Sequence, residues 1–157
     1  APPAIGQNWP GQGGVYAGLM RGADGNPDYH LVVATDPAGN LANLRWGGYE
    51  KDSKATSDTD GLANTTALLA DQEKHPVLEV LIHLNAGTHK DWYLPARREL
   101  SLCFANVREL FETDDWYWSS TQYSADNAWY QYFSFGSQGW DFKSYEGRAR
   151  AVRKVPA

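Results

Sequence analysis

The chain is 157 residues long, one domain's worth, with a formal charge of −5 and a sequence pI near 5.3. That acidity argues against nucleic acid, whose binders carry a basic patch or stripe; basic residues gather only at Arg97-Arg98 and at Arg148, Arg150, Arg153 and Lys154. Cys103 is the sole cysteine, so no internal disulfide forms, and no apolar run approaches the ~18 residues that suggest a membrane span.

Residues 1–12 are rich in Pro and Gly and read as an extended segment leading into a single domain over 13–157. Gly14–Met20 and Tyr29–Ala34 read as the two strands of a hairpin, with turn chemistry at Gly22–Pro27. Residues 36–58 are polar and irregular. The spacing of Leu62, Thr66 and Leu69 predicts a helix over 59–72, capped from Asp58-Thr59-Asp60. His75-Pro76 breaks it, and a second helix is expected over 76–85 with Val77, Leu81 and Leu84 on one face. The strongest helical pattern is 96–111, where Leu100, Phe104, Val107 and Phe111 follow helical spacing after Pro95. Ala96 at its cap position has no side-chain oxygen, so Glu99 makes half a capping box, and a lost cap worth ~1 kcal/mol is expected.

After Asp114-Asp115 the texture changes. Trp116–Ser120, Trp129–Phe135, Trp140–Ser144 and Ala149–Val155 are short aromatic or β-branched runs separated by Gly, Ser, Asn and Asp, the pattern of an antiparallel meander. Four of the seven tryptophans (Trp116, Trp118, Trp129, Trp140) lie in this region. Trp and Tyr give large contact area at low entropy cost, which suits interfaces as well as cores.

Four motifs in order carry a resemblance. Trp92-Tyr93-Leu94-Pro95 leads into Glu99-Leu100; Tyr117-Trp118-Ser119-Ser120-Thr121 reads YWSST; Ala128-Trp129-Tyr130-Gln131 follows; Arg148-Ala149-Arg150-Ala151-Val152-Arg153 closes the region as RARAVR. Over roughly 59–155 the chain resembles the Lcl C-terminal-like family, found on bacterial surface adhesins, on phage tail-fibre tips and among the targets of diversity-generating retroelements. The resemblance implies an α+β, C-type-lectin-like fold: helices packed on small antiparallel sheets, here with an N-terminal hairpin. It also implies ligand recognition rather than catalysis, at a virion tail tip or bacterial surface. The expected partner is a bacterial or host cell-surface protein or glycan. No cofactor and no membrane insertion are expected, and relatives that tip fibres imply a homotrimer by analogy.

Diversified members vary at positions matching Tyr132, Ser134, Phe135, Ser137, Gly139, Asp141, Phe142, Ser144 and Tyr145, residues that adenine substitution in an Asn codon can yield. With Trp140 these form the expected ligand surface; Trp129, Phe133, Gly136 and Arg148 match scaffold positions. Alternation places Trp129, Gln131, Phe133 and Phe135 on one strand face, with Tyr130, Tyr132 and Ser134 on the other. Asp141 or Lys143 is expected to hydrogen-bond a ligand stacked on the aromatics.

Other constellations are weaker. Asp24–Asp28 opens like a calcium loop but has Tyr29 where Gly is needed and Thr35 where the closing acid belongs, so it reads as the hairpin turn. Asp114-Asp115 offers too few ligands for Ca²⁺. The four histidines show no helical pairing for zinc and read as surface or capping residues. Cys103, beside Phe104, reads as a small buried residue. The alternative functions are a glycan-degrading enzyme using Asp114, Asp115 or Glu146, and a structural oligomerisation domain of a fibre.

Overall fold

The computed structural model describes all 157 residues. The hairpin is strands β2 (Gly14–Met20) and β3 (Tyr29–Ala34), and the lead-in is tied to it: β1 (Asn8–Trp9) pairs with β2, and the Gly6 amide donates to the Tyr16 carbonyl. The turn forms where Gly22–Pro27 predicts it, with the Gly22 N–H donating to Asp28 Oδ1 and Asp24 and Gly25 in the left-handed region.

A strand hidden in the polar stretch, β4 (Asn40–Arg45), comes next. Its bulge between Leu41 and Leu44 spoils the two-residue alternation that would have marked it. Trp46, directly after it, is fully buried and donates its indole N–H to the Ser119 carbonyl.

Helix α1 (Gly61–Leu69) starts from Asp60, whose carboxylate accepts from the Ala63 amide. Its buried face is Gly61, Asn64, Thr65 and Leu68, opposite the apolar spacing in the sequence; Leu62 and Leu69 face outward. Polar partners overrode the hydrophobic count there: Asn64 and Thr65 bond Ser57, Ser120 and the Leu94 backbone. The expected second helix is a 3₁₀ turn (Pro76–Leu78) and one turn of α2 (Glu79–Ile82), which bury Val77, Leu78 and Val80.

Helix α3 (Arg97–Val107) runs as expected, and a 3₁₀ turn follows at Arg108–Leu110. The cap is not lost. Glu99, fully buried, accepts from the amides of Ala96 and Gly61 through one oxygen and from the Tyr29 and Tyr93 hydroxyls through the other, at 2.5–3.0 Å. The Arg97 amide donates to Thr121 Oγ1 and the Arg98 amide to the Asp58 carbonyl. Neighbouring elements therefore satisfy the first turn, and the fully buried Ala96 leaves room for them.

Strands β5 (Trp116–Gln122), β6 (Asn127–Tyr132) and β7 (Gln138–Phe142) form the expected antiparallel meander, but β8 (Glu146–Arg150) does not continue it: the chain returns to lie between β4 and β5, antiparallel to the first and parallel to the second. The final run is two strands rather than one: after Ala151 the chain crosses to the other sheet as β9 (Val152–Pro156). The result is a mixed α+β fold with a four-stranded sheet, β1-β2-β3-β9, and a five-stranded sheet, β4-β8-β5-β6-β7. One core, with Leu100, Cys103, Val107, Tyr117 and Phe133, joins α3 to the first sheet; the other, with Trp46, Leu68, Val80, Leu94 and Trp118, lies under α1 and α2. Cys103 is buried, as its apolar setting predicts. His75 departs from expectation: it is buried, bonded through its two ring nitrogens to the Trp46 carbonyl and Asp71.

Candidate functional site

The last two antiparallel strands of the large sheet form a ribbon, with β6 bonded to β5 and β7 at the open edge. Cross-strand partners share a face, so Trp129 with Trp140, and Asn127 with Phe142, project to one side. Ala128, Tyr130 and Tyr132 of β6, with Gly139 and Asp141 of β7, belong to the other.

On the first side the aromatic rings form two clusters, one around Trp140 and one around Phe142. The Arg97 guanidinium, on the first turn of α3, lies 3.4 Å over the Trp129 ring. Trp129 meets Trp140 edge to face at 5.0 Å, and Trp140 stacks flat on Tyr123 at 4.1 Å. Farther along, Phe142 stands perpendicular to both Tyr49 and Tyr145, at 5.8 and 5.4 Å. Tyr49, Tyr123, Trp140, Phe142 and Tyr145 are each 39–50% exposed. Rings held by one another but half open to solvent have fixed orientations and unspent contact area, the properties of a recognition surface. On the second side, Tyr130 and Tyr132 continue from Trp116, and Gly139 leaves room for the Tyr130 hydroxyl.

None of the ten expected ligand residues is buried. Ser134, Phe135, Ser137, Trp140, Phe142, Ser144 and Tyr145 are exposed; Tyr132, Gly139 and Asp141 are half-buried. They do not form one patch in the strict sense. Trp140 and Phe142 lie on one face, Tyr132, Gly139 and Asp141 on the other, while Ser134–Ser137 cap the ribbon and Ser144-Tyr145 sit in the turn before β8. Phe135 leaves the face that alternation assigned to it, because β6 ends at Tyr132 and the chain turns; it is 90% exposed at the ribbon tip, whereas Phe133 is buried against Phe111 and Tyr117.

Two anchors bound this stretch. Gly136, at φ 79°, passes so close to Phe104 that a Cβ there would fall 2.4 Å from the ring. Lys143 is the second, and it is not available to a ligand: its side chain is buried, with the ammonium donating to the Lys51 carbonyl and Gln122 Oε1 and lying 4.9 Å over Trp46. Burial lowers its pKa to about 8 against the pull of Asp52, Asp126 and Asp71.

The sequence reading missed Tyr49, Tyr123 and Arg97 as members of this surface. Tyr123 follows the YWSST motif and could have been found from it; Tyr49 comes from the irregular segment 46–58, which carries no local signal. The hydroxyls of Ser119 and Ser120 are buried and bonded within the fold, out of reach of a ligand. No group of three or more His, Cys, Asp or Glu side chains converges anywhere in the chain. Hollows of about 490 Å³, beside the hairpin turn, and about 880 Å³, beneath α2, lie away from the aromatic clusters.

A small mixed α+β domain with aromatic clusters on an edge ribbon defines the class: a lectin-like fold. Residues 38–153 match the family model of the Lcl C-terminal domain, and the chain belongs to that family. The match begins at the 3₁₀ turn before β4, earlier than the motifs alone marked it, and so takes in Tyr49. No curated protein matches the chain significantly. No helix is long and apolar enough to cross a membrane.

Proposed function

We propose that this domain recognises a cell-surface protein or glycan through the β6–β7 ribbon and its flanking turns, without chemical turnover. It serves as a phage receptor-binding module or a bacterial surface adhesin or variable protein. The observation that carries the reading is the pair of exposed aromatic clusters at Trp140 and Phe142: five half-open rings, with Phe135 projecting at the tip, none of them in either core. The pattern of burial also fits a diversified surface. All nine positions matching the variable ones lie outside the core, while the matched scaffold residue Phe133 is buried and Gly136 has no room for a side chain. A template repeat and a reverse transcriptase beside the gene would accompany such diversification.

The test is binding of the purified chain to a panel of bacterial cells and surface glycans, with and without EDTA. A Tyr132→Ala, Trp140→Ala, Tyr145→Ala variant is run beside it, with its fold checked by circular dichroism and its mass by light scattering. Wild-type binding lost in a folded variant of unchanged mass is the expected result. Equal binding by the variant refutes the site. A variant of altered mass makes the face a subunit contact, and release of soluble saccharide from the glycans makes the protein an enzyme.

A further inference from the structure

We propose that the open edge of β7 takes up an extended peptide strand of the recognised partner, one that alternates apolar and basic residues. This rests on the functional reading above and gives its ligand a chemical class: a protein segment, bound by strand addition.

The register decides which backbone groups are free. The Tyr132 amide donates to the Ser137 carbonyl and the Lys143 amide to the Asp126 carbonyl, which fixes the hydrogen-bonded pairs of the β6–β7 ladder. Counting in twos, residues 139 and 141 point their amides and carbonyls inward to β6, and Gln138, Trp140 and Phe142 point theirs outward. Phe142 is already engaged, its N–H by Asp141 Oδ1 and its carbonyl by the Tyr145 amide. Gln138 and Trp140 remain, and each offers one donor and one acceptor on an edge that no strand covers.

Exposed edges are normally blunted by shortness, bulges, lysine or proline. The other three edges of this fold follow that rule. β1 has two residues, β4 carries a bulge, and β9 ends in Lys154, Val155 and Pro156 and is bridged at Val152 by Tyr93. β7 has five residues in unbroken register, with no bulge, no proline and no lysine. It is also the edge that carries exposed aromatic side chains.

Those side chains set the composition of the occupant. A strand laid along β7 would place alternate residues beside Trp140 and Phe142, an apolar surface that favours β-branched or aromatic partners. The intervening residues would face Gly139, which has no side chain to obstruct them, and Asp141, which favours Lys or Arg.

The test uses the full chain and a blocked decapeptide of alternating Val and Lys as probe, followed by amide NMR. Saturable shifts at the Gln138, Gly139 and Trp140 amides are expected. The same peptide N-methylated at every second residue keeps its charge but loses one hydrogen-bonding edge, and should bind about tenfold more weakly. Trp140→Pro and Trp140→Ala both remove the side chain, but only the first removes the outward N–H. That N–H makes no bond inside the fold, so the proline variant should bind a further several-fold more weakly than the alanine variant. Equal binding of the two peptides by wild type overturns the proposal, and decides the matter even where the proline variant fails to fold. Shifts that map elsewhere also overturn it. If the peptide does not bind while the triple variant above still loses its cells or glycans, the recognition face stands and strand addition falls.

Discussion

Replacing Glu99 should be among the most damaging single changes in the protein, although it lies far from the aromatic ribbon. Its carboxylate is fully buried and accepts from four groups: two amides that open α1 and α3, and two tyrosine hydroxyls from β3 and the segment before α3. In Glu99→Ala four donors lose their acceptor, at about 1–3 kcal/mol each for a buried group. Relief from holding a charge in a dry interior offsets several kcal/mol of that total. The net cost is about 3–5 kcal/mol, a large part of the ~5–15 kcal/mol that holds a domain together. Glu99→Gln keeps an oxygen for the two amides but turns an NH₂ toward hydroxyls that were donating, and should cost about 1–3 kcal/mol. Urea unfolding at neutral pH, read by tryptophan fluorescence, measures both, with unchanged m-values expected. An alanine variant within about 1 kcal/mol of wild type would refute the idea that this carboxylate staples the two helix starts.

Three further outcomes follow from the ribbon. Phe133→Ala should cost about 3–5 kcal/mol in the same unfolding assay, and Phe135→Ala less than about 0.5, because one ring is buried and the other 90% exposed; similar losses would show that the tip packs in solution. Gly136→Ala combines a left-handed backbone with a collision at Phe104 and should lower stability by about 1–3 kcal/mol, an effect that a wild-type midpoint would rule out. Lys143 should titrate near 8 when followed by NMR of its side-chain nitrogen. Because its folded pKa is depressed, the unfolded chain holds the extra proton above that value, so this one group adds stability as pH rises from about 8 toward the ordinary lysine range. A midpoint in the ordinary range would mean that the ammonium is not buried in solution.

The hairpin, α3 and the aromatic strands were legible because each repeats a local pattern over several residues. Gly14–Ala34 sets two short apolar runs around a turn, Leu100–Phe111 keeps helical spacing, and the strands after Asp115 are rich in aromatic residues between turn residues. Where a bulge broke the alternation, as in β4, the strand disappeared from view. At α1 the apolar residues mark the solvent side, because the buried face is organised by Asn64 and Thr65, whose partners lie up to 57 residues away. The candidate site was legible as a segment and not as an arrangement. The sequence places Trp140 and Phe142 in a run, but only the register sets them on the same face, and only the tertiary fold brings Tyr123, Tyr49 and Arg97 beside them. Lys143 looked like a surface charge because nothing local reveals that its ammonium reaches across to the Lys51 carbonyl.

Residues 134–142 lie between two side chains that the fold cannot spare, Phe133 and Lys143, and contribute nothing to either core cluster. The ribbon is fastened at both ends and bonded along one side, like a page in a binding. Apart from Gly136, which must stay small beside Phe104, what is written on it has little bearing on whether the book holds together. Such a chain can explore many surfaces at nearly constant stability, and its tolerance for novelty is set by Phe133, Gly136 and Lys143 rather than by the other residues of the segment.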